Sequence, residues 1–163
     1  MLGLLGKNGA GKTTALKILA GIHDSSGGIG LVSGYNVETE RGHTYERLGN
    51  CPQFDCVWEN QSVRRHLEFY ARLKGIKTPA KAAKEIAEAV GLSAPEVYGR
   101  PSGNLSGGMR RRLSIAVSLI GSPNTLFLDE PTTGTNLQTN PVFQVVTTKP
   151  SCICCHSKTH CQA

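Results

Sequence analysis

The chain has 163 residues, enough for one domain with a real core, and carries a net charge of +6 from 18 Lys and Arg against 12 Asp and Glu. That charge is spread along the sequence and suits phosphate groups, nucleic acid or an anionic surface. The absence of any apolar run near the roughly 20 residues of a membrane helix excludes a spanning segment, and no basic-then-apolar signal opens the chain.

Leu2-Gly3-Leu4-Leu5 reads as a short apolar strand that runs straight into Gly6-Lys7-Asn8-Gly9-Ala10-Gly11-Lys12-Thr13-Thr14, the spacing G-x-x-x-x-G-K-[ST] of a phosphate-binding loop. Glycines let successive backbone N–H groups turn inward around phosphate oxygens, where side chains would block the approach. Lys12 supplies a point charge for the β- and γ-phosphates, and the Thr13 hydroxyl is placed to ligate a bridging Mg²⁺. Residues 15–20 then read as a helix whose positive N-terminal dipole faces the phosphates, and Gly21 stops it.

Asp24 to Gly28 is a turn, followed by a short strand over residues 29–32 and a second turn over 33–36. Gln53 follows a short strand at Asn50-Cys51-Pro52 and is the second candidate ligand position. Val63, Leu67, Tyr70 and Leu73 predict a helix capped by Ser62 and stopped at Lys74-Gly75, and residues 80–90 predict another that ends at Gly91. Two helices in succession break the β-α alternation and indicate a helical subdomain inserted in an α/β core.

Leu105-Ser106-Gly107-Gly108-Met109 precedes a helix running from Arg110 to about Ile120, so Ser106, Gly107 and Gly108 form a second anion-binding nest at a helix N-terminus. Arg110, Arg111 and Arg112 point to different helix faces, and Arg111 and Arg112 are expected on a solvated, partly ion-paired surface. Thr125 to Asp129 is an apolar strand ending in Asp129-Glu130-Pro131. Its tip delivers Asp129 to Mg²⁺, and Glu130, facing differently, can orient or deprotonate an attacking water.

Together these stretches resemble the ATP-binding cassette (ABC) ATPase family, and Leu105-Ser106-Gly107-Gly108 is the signature that separates it from other P-loop proteins. Cys51-Pro52-Gln53-Phe54-Asp55, residues 66–75 and Leu105 to Met109 resemble subfamily A, whose full-length members are similar to lipid-moving transporters. The resemblance implies an α/β fold with a P-loop NTPase (RecA-like) core and parallel sheet, incomplete, with the helical subdomain inserted at about residues 58–118. The implied cofactors are ATP and Mg²⁺. Gly6, Asn8, Gly9, Ala10, Gly11, Lys12, Thr13 and Thr14 would bind the nucleotide; Thr13, Gln53 and Asp129 would hold the metal; Glu130 and Gln53 would be catalytic. Ser106, Gly107 and Gly108 would close over the nucleotide of a second cassette, giving a head-to-tail sandwich. Further implied partners are transmembrane domains of the same or another chain at the cytoplasmic face of a membrane, and no nucleic-acid partner is expected.

The resemblance covers residues 1–136. Residues 137–163 are expected to be a Cys-rich, poorly ordered tail of non-family sequence, as in a truncated or wrongly joined gene model. The family's upstream strands, with an aromatic that stacks on adenine, are missing, and Asn136 stands where a loop Asp is usual. His156 is set aside as the family's switch histidine because no apolar strand is visible before it and Pro150 interrupts the approach. Zn²⁺ at Cys152, Cys154, Cys155, His156, His160 and Cys161 is chemically open, although paired metal-ligand spacing is lacking. Cytosolic nucleotide binding implies reduced thiols, without a disulfide framework. Two rivals stay open: a soluble ABC protein acting on ribosomes or DNA, and a remnant that binds nucleotide or a partner cassette without catalysis.

Overall fold

A computed structural model describes residues 2–131, 146 and 151–156. The strands are β1 (Leu2–Leu5), β2 (Leu31–Val32), β3 (Tyr35–Asn36), β4 (Leu48–Cys51), β5 (Thr125–Asp129) and β6 (Ser151–His156). The helices are α1 (Lys12–Leu19), α2 (Arg41–Arg47), α3 (Val63–Leu73), α4 (Pro79–Ala89), α5 (Pro95–Tyr98) and α6 (Gly107–Leu119). Four parallel strands form the main sheet in the order β1-β6-β5-β4, and β2 and β3 make a separate antiparallel pair. The α/β fold with a parallel sheet is the one the sequence predicts, and α3 to α6 all fall between β4 and β5.

The period of two along β5 sorts its side chains onto opposite faces. Phe127 packs with Leu16, Ala20, Val37, Leu48 and Cys155 in the cluster beneath α1. Leu126 and Leu128 join Cys51, Cys152 and Cys154 in the larger cluster that holds α3, α4 and α6 against the other face. Each helix boundary has a local cause. Ser62 caps α3 by accepting from the Arg65 N–H at 3.3 Å, Pro79 opens α4, and Gly21, Gly75 and Gly91 follow helices with φ of 67°, 71° and 70°. Helix α2 is an element the sequence reading lacked; its composition, Arg-Gly-His-Thr-Tyr-Glu-Arg, gives no apolar stripe.

The expectation of a poorly ordered tail is corrected at Ser151–His156. These residues form β6, seated between β1 and β5 with Cys152, Cys154 and Cys155 buried. Cysteine behaves in a strand interior as a small hydrophobe, so a stretch that reads as thiol chemistry is in fact apolar. His160 and Cys161 lie outside the described residues.

Candidate functional site

The phosphate loop spans from β1 to α1. Gly9 and Gly11 adopt φ of 81° and 85°, and a Cβ built on either meets nothing within 4 Å, so it is the left-handed backbone that requires glycine there. Gly6 is different: a Cβ there would sit 3.4 Å from the Ala10 Cβ and 3.7 Å from the Lys12 Cδ. Lys12 folds back on the loop, its Nζ donating to the carbonyls of Gly6 at 2.7 Å and Lys7 at 3.0 Å. These acceptors are neutral carbonyls, so the ammonium has no anionic partner in them. Gly11 is the N-cap of α1, so the first-turn N–H groups at Lys12, Thr13 and Thr14 have no acceptor one helical turn back.

The Thr13 Oγ1 donates to Asp129 Oδ2 at 2.8 Å, which joins residues 116 apart in sequence. Asp129 is buried at the C-terminal end of β5, and the chain turns sharply after it, with Glu130 at φ 47°. That conformation is unusual for a side chain other than glycine and is held by its neighbours: the Glu130 N–H donates to the Cys155 carbonyl at 3.0 Å. Residues 8–14, Gln53, Asp129 and Glu130 line a cavity of about 350 Å³. Every position the sequence nominates for nucleotide and metal on this side, except Gly6, therefore faces one space; Gly6 contributes its carbonyl to Lys12. Burial, with the Asp129 carboxylate alongside, pushes the Cys155 thiol up to about 11, and burial pushes Cys51 to about 12, so neither is a thiolate beside the cavity at neutral pH.

A hydroxyl and a carboxylate in contact, beside glycine-cradled amides and a flexible ammonium, form a donor set suited to a triphosphate with Mg²⁺. The Thr13 hydroxyl and the Asp129 carboxylate are the hard oxygen donors that would hold such an ion. Ser106, Gly107 and Gly108 are elsewhere. Ser106 caps α6, its Oγ accepting from the Met109 N–H at 3.3 Å, and none of the three lines this cavity.

Arg111, expected on a solvated surface, is instead 3% exposed, whereas Arg112 is half-buried. Its Nη1 donates to the carbonyls of Pro52 at 2.6 Å and Gln53 at 3.2 Å and approaches Asp55 Oδ1 at 3.5 Å. Its Nη2 donates to the carbonyls of Asp129 at 2.7 Å and Glu130 at 3.1 Å. The physical reason is that α6 is covered over most of its circumference, with Leu113, Ser114, Ile115 and Ala116 all buried. One of three successive arginines must then point inward. That crowding was the available signal: a helix apolar on several faces cannot keep all three on its surface.

A second unforeseen group is His66, fully buried on α3. Its Nε2 accepts from the Trp58 N–H at 2.8 Å, so Nδ1 carries the proton and donates to the Ser62 carbonyl at 2.9 Å. Ser102 closes the same loop from the signature side, its Oγ donating to the Trp58 carbonyl at 2.9 Å and its N–H to the Gln61 carbonyl at 2.8 Å. One ground for setting His156 aside, the lack of a strand before it, does not hold: β6 ends at His156, in register with Leu5, while Pro150 lies outside the described residues.

Residues 1–133 match the family model described as ABC transporter. The chain is 46% identical over 134 residues to ABC transporter A family member 12 of Arabidopsis thaliana, a match covering 81% of this chain and 15% of that protein. It is 42% identical over 132 residues to ATP-binding cassette sub-family A member 7 of Mus musculus, covering 81% of this chain and 6% of that protein. The chain thus spans a small part of the curated relatives it matches. Its fold is similar, with a TM-score of 0.83 and 17% identity, to a solved dimer of the ATP-binding cassette MJ0796 in a post-hydrolysis state bound to ADP and Pi; the match covers 97% of this chain and 75% of that one. Among the described residues no helix is long and apolar enough to cross a membrane.

Proposed function

Because the chain belongs to the ABC transporter family, and carries an ATPase cassette resembling those of subfamily A, we propose that its cavity binds Mg·ATP and that the parent protein couples hydrolysis to transport of a lipid. The observation that carries this reading is the 2.8 Å contact between Thr13 and Asp129, which brings the glycine loop and the acidic strand tip to one place. Lys12 would leave its loop carbonyls for the β- and γ-phosphate oxygens, and the backbone amides of the glycine loop and of the first turn of α1 would cradle them. Thr13, Asp129 and Gln53 would hold Mg²⁺, which when bound neutralises phosphate charge and draws electron density from the bond to be broken. Glu130 would orient the attacking water and accept its proton.

Two partners follow from the same reading. Ser106, Gly107 and Gly108 are turned away from the chain's own cavity and would close over the nucleotide of a second cassette. A groove of about 770 Å³ along α3, where exposed Trp58 and Phe69 lie among Arg64, Arg65 and Arg72, would receive a cytoplasmic segment of a transmembrane domain.

Without a second cassette the signature residues have no nucleotide to close over, so this chain alone should bind ATP weakly and turn it over at a rate close to background. An ATPase assay on the purified chain, with Lys12→Ala and Glu130→Gln beside it, tests this. Near-background rates in all three agree with the proposal, and robust turnover abolished by either substitution contradicts the expected inactivity. Turnover insensitive to both substitutions would contradict the site itself.

A further inference from the structure

Arg111 is a buried cation whose guanidinium fork is shared between two separate segments. One arm holds the carbonyls of Pro52 and Gln53, and the other holds those of Asp129 and Glu130. Asp55 is its one carboxylate partner within 4 Å among the described residues, and that partner is itself tied to α6 through the Ser114 Oγ at 2.9 Å. Such a group is a costly way to fill a core, since apolar side chains of similar volume serve packing as well or better. Here its Nε–H is also buried without a partner among the described residues, while both terminal nitrogens are spent on the two segments. Three of the four clamped carbonyls belong to Gln53, Asp129 and Glu130, which line the cavity, and Glu130 holds a strained φ of 47°.

We propose that Arg111 is a positioning residue that locks the Gln53 segment and the Glu130 strand tip to helix α6, so that the three move as one unit. A displacement of α6, which begins at the exposed Ser106 and Gly107, is then carried directly to the main chain of Gln53 and Glu130. Occupancy of the cavity is carried the other way, from the strand tip through Arg111 into residues 52–55 and on to Trp58. The planar, two-armed geometry is essential, because a lysine ammonium cannot reach both segments at once.

The proposal rests on the reading of the cavity as an Mg·ATP site, and Trp58, the sole tryptophan, separates the two. Titrating the chain, Arg111→Lys and Arg111→Met with Mg·ATP gives affinity by calorimetry and the Trp58 response by fluorescence. In the unsubstituted chain both should saturate together. In both variants the affinity should stay within about threefold while the Trp58 response falls at least about fivefold, the lower end of ordinary coupling between sites. A full response in Arg111→Lys overturns the proposal, because charge alone would then suffice; parallel loss of affinity and response in both variants also overturns it, because Arg111 would then be merely structural. If Arg111→Met does not fold, Asp55→Asn provides the second test: it should weaken the response at unchanged affinity, and an unweakened response overturns the proposal. No binding by the unsubstituted chain removes the ATP reading and this proposal with it, whereas binding with an unaltered response in the variants removes this proposal alone.

Discussion

His66 can hold the Trp58 N–H only as a neutral ring, because a protonated imidazole has no acceptor to offer at Nε2. Burial moves its pKa below the ordinary value of 6.5, with the Ser62 carbonyl pulling weakly the other way. The unfolded chain therefore takes up a proton near pH 6.5 that the folded chain refuses, so the stability tied to this group is complete above pH 6.5 and is lost as pH falls toward the folded-state pKa. Thermal melting at pH 7.5 and 5.5 should show a drop that is smaller in His66→Gln, whose amide oxygen can accept in place of Nε2. An equal drop in both would dismiss the account. Residues such as this show where reading from sequence ran short. Lys12, Thr13, Asp129 and Glu130 were legible because phosphate chemistry dictates their types and spacing. The roles of His66 and Arg111 depend on which carbonyls and amides the fold carries to them from as far as 59 positions along the chain, and no spacing rule encodes that.

At the scale of elements, β4 packs closely against α6 at Gly49. A Cβ built on Gly49 would collide with the Ser118 carbonyl oxygen and lie 2.9 Å from both Leu126 Cδ1 and Pro123 Cγ. The nearest atom is backbone, so it cannot turn aside as a side chain would. Gly49→Ala should therefore destabilise the chain on the order of 3 kcal/mol, at the upper end of overpacking costs, as measured by urea unfolding; a change under about 1 kcal/mol would show that α6 can slide on the sheet. The helices α3, α4 and α6 were legible from apolar spacing, caps and glycine stops. Strand β6 was not, because three cysteines in six residues conceal an apolar strand, and α2 was not, because it is held by neighbours rather than by a stripe of its own. Strand β1 differs from expectation too. Among the described residues it pairs only with β6, and Leu2, Leu4 and Leu5 are exposed, where a parallel sheet would ordinarily be covered.

At the scale of the whole molecule, the sheet order places β6 between the strand that feeds the glycine loop and the strand that ends in Asp129. All four strands run in one direction, so the loop, the acidic tip and the Gln53 segment emerge at one edge, where the crevice of an open parallel sheet takes its ligand. Two apolar clusters, one on each face, fix that edge from both sides. The signature turn stands apart from it and is joined through α6 and Arg111. The central claim is that this single edge clasps Mg·ATP, and calorimetric titration of the chain with ATP in the presence and absence of Mg²⁺, repeated with Lys12→Ala, tests it most directly. A saturable heat that requires Mg²⁺, with affinity reduced at least about tenfold in Lys12→Ala, is the result expected, a tenfold change being about 1.4 kcal/mol. No saturable heat, or equal heats from the chain and Lys12→Ala, would contradict it.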